Sequence, residues 1–244
     1  MRTLWGLHYS PWTEKARWAL DHHGIDYRYR EHMPLLGEPA LRWRARRRSP
    51  GAPASVPLLL EGETLVSDST DIARHAERLG SRAPLFGPGR EDAIDRWVRA
   101  SDRALQAARA LVVDAISNSP AAQVESLPPA VPSALRPALR GVARLGSSFL
   151  ARKYGAELDA RARHRETLAH FCAELDAALD GPYVLTELSY ADLACAVTIN
   201  SFAPLRERFF ARSPATAEAW SQPELIERFA GLLEWRDQLY ASHR

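Results

Sequence analysis

One stretch, Leu7-His8-Tyr9-Ser10-Pro11-Trp12-Thr13-Glu14-Lys15-Ala16-Arg17-Trp18-Ala19-Leu20, constrains the fold of this chain more than any other. The apolar run Leu4-Trp5-Gly6-Leu7 reads as a short buried strand, and Trp12, Ala16, Ala19 and Leu20 then recur at helical spacing. Strand therefore gives way to helix at Ser10. A serine suits the N-cap and Pro11 suits the first helical position, where its missing N–H costs nothing. The helix is expected to stop at Gly24, with His22 and His23 in the last turn facing the negative end of the dipole. A hydroxyl, backbone N–H groups and a positive helix end meet at Ser10, and such a point stabilises an anion, a thiolate included. Taken alone, Ser10 need be no more than a cap.

Ile25, Tyr27 and Tyr29 alternate with Asp26, Arg28 and Arg30, which predicts a half-exposed strand over 25–30. The helix between the two strands makes them a parallel pair. The proline-interrupted, basic segment from Met33 to Pro53 reads as a loop with a short helix around Ala40 to Arg46. Ala54-Ser55-Val56-Pro57-Leu58-Leu59-Leu60 and Thr64-Leu65-Val66, separated by Glu61-Gly62, predict a hairpin. Val56-Pro57 is a candidate cis peptide. A helix opens within Ser67-Asp68-Ser69-Thr70-Asp71-Ile72 and closes at Gly80, so Asp68 and Ser69 occupy a second anion-friendly helix start.

Beyond this point strand signals cease. The Pro/Gly-rich residues 81–89 read as a linker between a first domain, 1–80, and a helical one, 90–244. Ile94, Trp97, Val98, Ser101, Leu105, Ala108, Val112 and Ile116 form one helical stripe, and Leu168, Phe171, Cys172, Leu175 and Leu179 another. Ser189-Tyr190-Ala191-Asp192 is a capping-box variant with Asp at the third position. The helix it opens is apolar nearly all round from Leu193 to Ile199, which predicts the buried centre of the second domain. A last helix is expected over about Pro223 to Tyr240.

Composition narrows the function classes. The 244 residues are 46% hydrophobic and 25% charged, with no run long enough to span a bilayer. The N-terminus lacks the cationic start and apolar core of a signal peptide, so a cytoplasmic protein is expected. Cys172 and Cys195 lie in apolar helical patterns, as small core residues do, and the eight histidines show no ligand spacing, so no metal site is expected. A net charge of +2 gives no argument for nucleic acid. Arginines concentrate in 42–48 and again between Arg136 and Lys153, a segment without an acid between Glu125 and Glu157. There Arg136, Arg140 and Arg144 stand four apart beside Leu135, Leu139 and Val142. The segment reads either as a basic amphipathic helix meeting acidic substrates or a membrane face, or as a solvated helix laid over the core.

These pieces in this order resemble a cytosolic glutathione transferase: strand, Ser-Pro helix, strand, Val-Pro before a hairpin, an acid-Ser pair opening the third helix, a linker, and a helical half with a Ser-x-Ala-Asp cap. The resemblance implies an α+β/α fold, a thioredoxin-like β-α-β…β-β-α domain followed by an all-α bundle. It implies conjugation of the glutathione thiolate to an electrophilic, largely apolar small molecule by a homodimer, with no metal. A non-catalytic glutathione- or ligand-binding protein of this fold, or a glutathione-dependent peroxidase or isomerase, are the other activities it implies. Ser10 matches the serine that donates to the glutathione sulfur in serine-type branches, and Tyr9 beside it is the alternative donor. Trp12, Val56 and Pro57 match the glutathione pocket, with the Val56 backbone pairing to the cysteinyl part. Asp68 and Ser69 match the pair that holds the γ-glutamyl end, with Asp in place of the more frequent Glu. Arg47, or its neighbours Arg46 and Arg48, would meet the glycine carboxylate. Thr13 stands where a redox relative carries the second cysteine of Cys-x-x-Cys, and position 10 is not Cys, which argues against thiol-disulfide chemistry.

Overall fold

A computed structural model describes residues 1–33, 37–48, 55–127, 131–153, 160–205 and 214–244, without the side chains of Arg44, Arg46, Arg47, Arg48, Ser147, Leu150, Ala151 and Lys153. The first part runs β1 (Arg2–Gly6), α1 (Pro11–His22), β2 (Arg28–Glu31), α2 (Glu38–Arg48), β3 (Leu58–Glu61), β4 (Thr64–Ser67) and α3 (Ser69–Leu79). The four strands form one sheet in the order β2-β1-β3-β4, with β1 and β2 parallel and the other neighbours antiparallel. This is the thioredoxin-like mixed sheet that the resemblance implies, and helices follow it. α1 and α3 pack together on it, and their apolar sides close a cluster of Leu4, Ala16, Leu20, Ile25, Leu59, Ile72 and Ala76.

Local chemistry sets the ends of these elements. β1 stops at Gly6, one residue before the expected end, because Leu7 is drawn into a turn: its N–H donates to Thr13 Oγ1 (3.2 Å) and its carbonyl accepts from Ser10 N (2.9 Å). The second strand begins at Arg28, three residues later than the alternation predicts. Gly24, at φ 66°, turns the chain so that Ile25 N donates to Leu20 O (2.9 Å), and the Ile25 side chain is used in the core cluster instead of on the sheet. The hairpin closes through the two residues Gly62 and Glu63, Gly62 at φ 56°, between the paired Glu61 and Thr64.

Helices continue as α4 (Glu91–Asn118), α5 (Pro120–Glu125), a 3-10 turn at Ser133–Leu135, α6 (Arg140–Lys153), α7 (Arg161–Ala178), α8 (Tyr190–Asn200), α9 (Pro214–Trp220), α10 (Pro223–Arg228) and α11 (Ala230–His243). The chain divides into two compact units, one of Met1–Ser101, Ala177–Val197 and Trp235–Arg244, the other of Asp102–Asp176 and Thr198–Glu234. The expected last helix is two helices, because Phe229 leaves helical geometry (φ −119°, ψ 42°) and buries its ring.

In the first unit α8 is buried to its core, Tyr190, Leu193, Ala194 and Cys195 all at 0% exposure. Its start is held by Asp192, whose Oδ2 accepts from Ser189 N and Ser189 Oγ (both 2.8 Å) and whose Oδ1 accepts from Val184 N (2.7 Å). Burial pushes the Asp192 carboxyl up while these donors pull it back. The same unit braces α1 from behind. Trp18 Nε1 donates to His243 O (2.9 Å), and the Arg244 guanidinium meets Glu14 (2.7 Å) and Asp21.

In the second unit the start of α6 leaves large apolar side chains outside the core. Leu139, Val142 and Leu145 stand in solvent, as does Leu135 before them. Of the three arginines at four-residue spacing, Arg136 is tied inward, its Nε donating to Val131 O (3.1 Å) and its Nη1 to Val124 O and Leu127 O (3.4 Å each). No described helix is long and apolar enough to cross a membrane.

Candidate functional site

Strand register decides which loops meet. Trp5 pairs with Leu58, Leu58 with Ser67, and Gly6 with Glu31. The segments Leu7–Ser10, Val56–Pro57 and Asp68–Ser69 therefore leave the same end of the sheet, and α1 and α3 begin there. The Val56–Pro57 peptide is cis and Pro57 is buried.

Ser10 is the N-cap of α1 in extended geometry (φ −80°, ψ 125°) and is buried, but its hydroxyl makes no cap hydrogen bond. The expected side-chain cap is thus not formed. The turn instead rests on backbone and on Thr13: Ser10 N donates to Leu7 O, Glu14 N to Ser10 O, and Thr13 Oγ1 accepts from Leu7 N. Pro11 at the first helical position removes one of the orphan N–H groups of this helix start. Thr13 is buried against the end of β1, where a Cβ on Gly6 would run into its side chain. Tyr9 is half-buried, its ring edge-on to His8 at 5.1 Å between centroids, and Trp12 is half-buried in the first turn.

The second helix start behaves differently. Asp68 is the N-cap of α3 and its Oδ1 accepts from Thr70 N (2.7 Å). Its φ of 80° is the positive value that only glycine adopts freely, and among the described residues no other non-glycine has one. Ser69 follows at 1% exposure, and its Oγ has no hydrogen-bond partner among the described residues. A buried hydroxyl without a partner is uncommon, because leaving it so costs about 1–3 kcal/mol. Burial pushes the Asp71 carboxyl up, and the neighbouring Asp68 adds to it.

A cluster that sequence reasoning missed lies at the end of β2. Glu31 accepts from His8 N (3.2 Å), pairs with His8 Nδ1 (2.9 Å) and accepts from the Tyr29 hydroxyl (2.8 Å). Burial works to raise the Glu31 carboxyl, but the bonds from His8 and Tyr29 prevail and lower it. Burial and Glu31 together push the Tyr29 phenol up. The only sequence trace is Tyr29 and Glu31 two apart on one strand face; nothing local announces His8.

At the far end of α1, His23 is 4% exposed and neither ring nitrogen has a hydrogen-bond partner among the described residues. Burial, then the neighbouring His22, lower its pKa. Glu77 Oε2 lies 3.9 Å from it and accepts from Leu85 N (2.6 Å) and Phe86 N (2.9 Å).

The side chains of Arg46, Arg47 and Arg48 lie outside the described residues. Among the described residues no group of three or more His, Cys, Asp or Glu is placed to hold a metal ion. Cys172 and Cys195 are buried thiols, and burial pushes Cys172 up to about 12.

Residues 9–79 match the family model of the glutathione S-transferase N-terminal domain. No curated protein matches the chain. Among solved structures, a glutathione S-transferase domain-containing protein of Marinobacter aquaeolei superposes with a TM-score of 0.62 at 15% identity, covering 98% of each chain. A Methylobacterium radiotolerans glutathione S-transferase in complex with glutathione sulfonate gives 0.61 at 18% identity over 99% of this chain and 91% of its own. Glutathione transferase F2 of Populus trichocarpa gives 0.61 at 14% over 98% and 93%. The fold is thus that of the glutathione S-transferases, and residues 9–79 are similar to their N-terminal domain.

Proposed function

We propose that this protein is a glutathione transferase that joins the thiolate of glutathione to an electrophilic, largely apolar small molecule. The observation that carries the reading is the buried, unpartnered Ser69 hydroxyl beside the strained N-cap Asp68, at the sheet end from which Ser10 also emerges. An unspent buried donor at a helix start suits a ligand carboxylate, and an exposed carboxylate next to it suits an ammonium. The γ-glutamyl end of glutathione carries both.

In this reading Ser69 and Asp68 hold that end, the Val56 backbone beside Pro57 pairs with the cysteinyl part, Trp12 lines the pocket and Arg47 takes the glycine carboxylate. Ser10, whose hydroxyl is not used as a cap, donates to the sulfur, with Tyr9 as the neighbouring alternative. A free thiol titrates near about 8.5, so little thiolate exists at neutral pH. A hydroxyl donor at a helix start favours the charged form and lowers that value. The thiol gives its proton to solvent and sulfur forms its bond to the electrophilic carbon, which either releases its leaving group with the bonding pair or passes its π pair to the neighbouring atom, where a proton is taken up from solvent. The protein acts as a cytoplasmic homodimer and needs no metal.

The test is a glutathione-dependent conjugation assay with a chloroaromatic acceptor and a panel of other electrophiles, beside calorimetry with glutathione alone. Conjugation supports the reading. Glutathione binding without turnover of any electrophile overturns the transferase assignment in favour of a binding protein, and absence of glutathione binding overturns the site.

A further inference from the structure

We infer that the apolar side of α6, with the turn before it, docks on an anionic lipid surface. Leu139, Val142 and Leu145 follow one another at three-residue spacing along one side of the helix and are 36%, 51% and 67% exposed, and Leu135 in the preceding 3-10 turn is 54% exposed. Scattered single apolar residues on a surface need no explanation, but four large ones in one short segment do. Of the described α6 side chains only Ala143 is buried and Phe149 is half-buried, while Val142 and Leu145 stand in solvent.

The patch is built, not frayed. Arg136 clasps the carbonyls of Val124, Leu127 and Val131, and Leu139 N donates to both Leu135 O and Arg136 O (3.1 Å each), which fixes the corner that presents Leu135 and Leu139 together.

Charge selects the occupant. Arg140 and Arg144 are exposed on the side of α6 away from the leucines, Arg152 is exposed at its C-terminal end, and the sequence holds no acid between Glu125 and Glu157. Long arginine side chains around an apolar stripe reach anionic headgroups while the stripe enters the acyl boundary. A second copy of the chain fits worse, since a two-fold contact through this segment brings arginine to arginine with no acid to answer it. At 14 residues the helix is about 21 Å long, so it lies along a bilayer and does not cross it.

Co-sedimentation of the full chain with vesicles of phosphatidylcholine alone, and of phosphatidylcholine with about one third phosphatidylglycerol, tests this. Binding to the anionic vesicles alone is expected, weakened several-fold by raising salt from about 50 to 200 mM. Leu139→Glu with Leu145→Glu, and separately Arg140→Ser with Arg144→Ser, should each reduce it at least about tenfold, with calorimetric glutathione binding and far-UV circular dichroism unchanged. Three results overturn the inference: no binding of the wild type to anionic vesicles, equal binding by the leucine variant, or a leucine variant whose only change is a smaller assembly in light scattering. Capture by an acidic polypeptide such as polyglutamate, with vesicles ignored, likewise refutes the lipid assignment in favour of an acidic protein.

Discussion

Replacing Ser69 by alanine separates what the folded chain needs from what a ligand needs. The Ser69 hydroxyl is 1% exposed and has no partner among the described residues, so the unliganded protein carries a desolvation cost of about 1–3 kcal/mol there. Alanine removes that cost and is the better helix former at the start of α3. Against this stands the loss of a little packing. A net gain of about 1 kcal/mol is expected, which for a chain of this size raises the melting temperature by about 2–4 °C. Binding should move the other way. A hydrogen bond to a carboxylate is worth about 1.5–3 kcal/mol, so glutathione should bind about 10- to 150-fold more weakly. The contact is made equally in ground and transition states, so the Michaelis constant should rise while turnover barely changes. Asp68→Ala provides the contrast, because it also removes the acceptor of Thr70 N and should lower stability by about 1 kcal/mol as it weakens binding. Scanning fluorimetry and calorimetry on the two variants suffice. A Ser69→Ala protein that melts lower than wild type and binds glutathione equally well would show that the hydroxyl serves the fold alone.

Ser10→Ala should cut turnover by roughly 10² at neutral pH and raise the pKa of bound glutathione, with melting temperature held, since the hydroxyl makes no cap bond; thiolate formation lost in Tyr9→Phe and kept in Ser10→Ala would transfer the role to Tyr9. Asp192→Ala strips the acceptor from Val184 N, Ser189 N and Ser189 Oγ at a fully buried site and should cost about 3–5 kcal/mol in denaturant titration; a loss under about 1 kcal/mol would refute that account. His23 supplies a pH dependence. Its folded pKa is lowered by burial and then by His22, so as pH falls through the ordinary histidine value of about 6.5 the unfolded chain takes up a proton that the folded one refuses, and stability drops. His23→Phe should shrink the loss of melting temperature between about pH 7.5 and pH 5.5, and an unchanged loss would acquit His23.

The parts of this molecule that were legible in advance are those whose causes are local. Ser10-Pro11 marks the start of α1, and Asp68 and Gly80 bracket α3, because caps and breakers act on their own neighbours. What failed needed distant partners. Ile25 alternates like a strand residue but is claimed by Leu20 O and by the core. Phe229 breaks a helix that periodicity joins, for the sake of burying its ring. Arg136 belongs to a regular basic row, yet three carbonyls from residues 124–131 turn it inward. Within the candidate site the acid-serine pair was readable from its position before a helix, whereas the Glu31 cluster was not, since His8 arrives from 23 residues away.

The Thr13 hydroxyl, tied to Leu7 N and pressed against Gly6, also bears on how this chain's chemistry could drift. A single change at Ser10 to cysteine would install one thiol at the helix start with the loop intact. The second thiol of a dithiol pair would have to replace Thr13, the pin of that loop. Sulfur is a poorer acceptor than oxygen, so the bond from Leu7 N that holds the loop would weaken. The mutational path from this build to disulfide exchange therefore passes through a partly unhinged loop. A lineage carrying Thr13 would sample monothiol variants far more readily than dithiol ones.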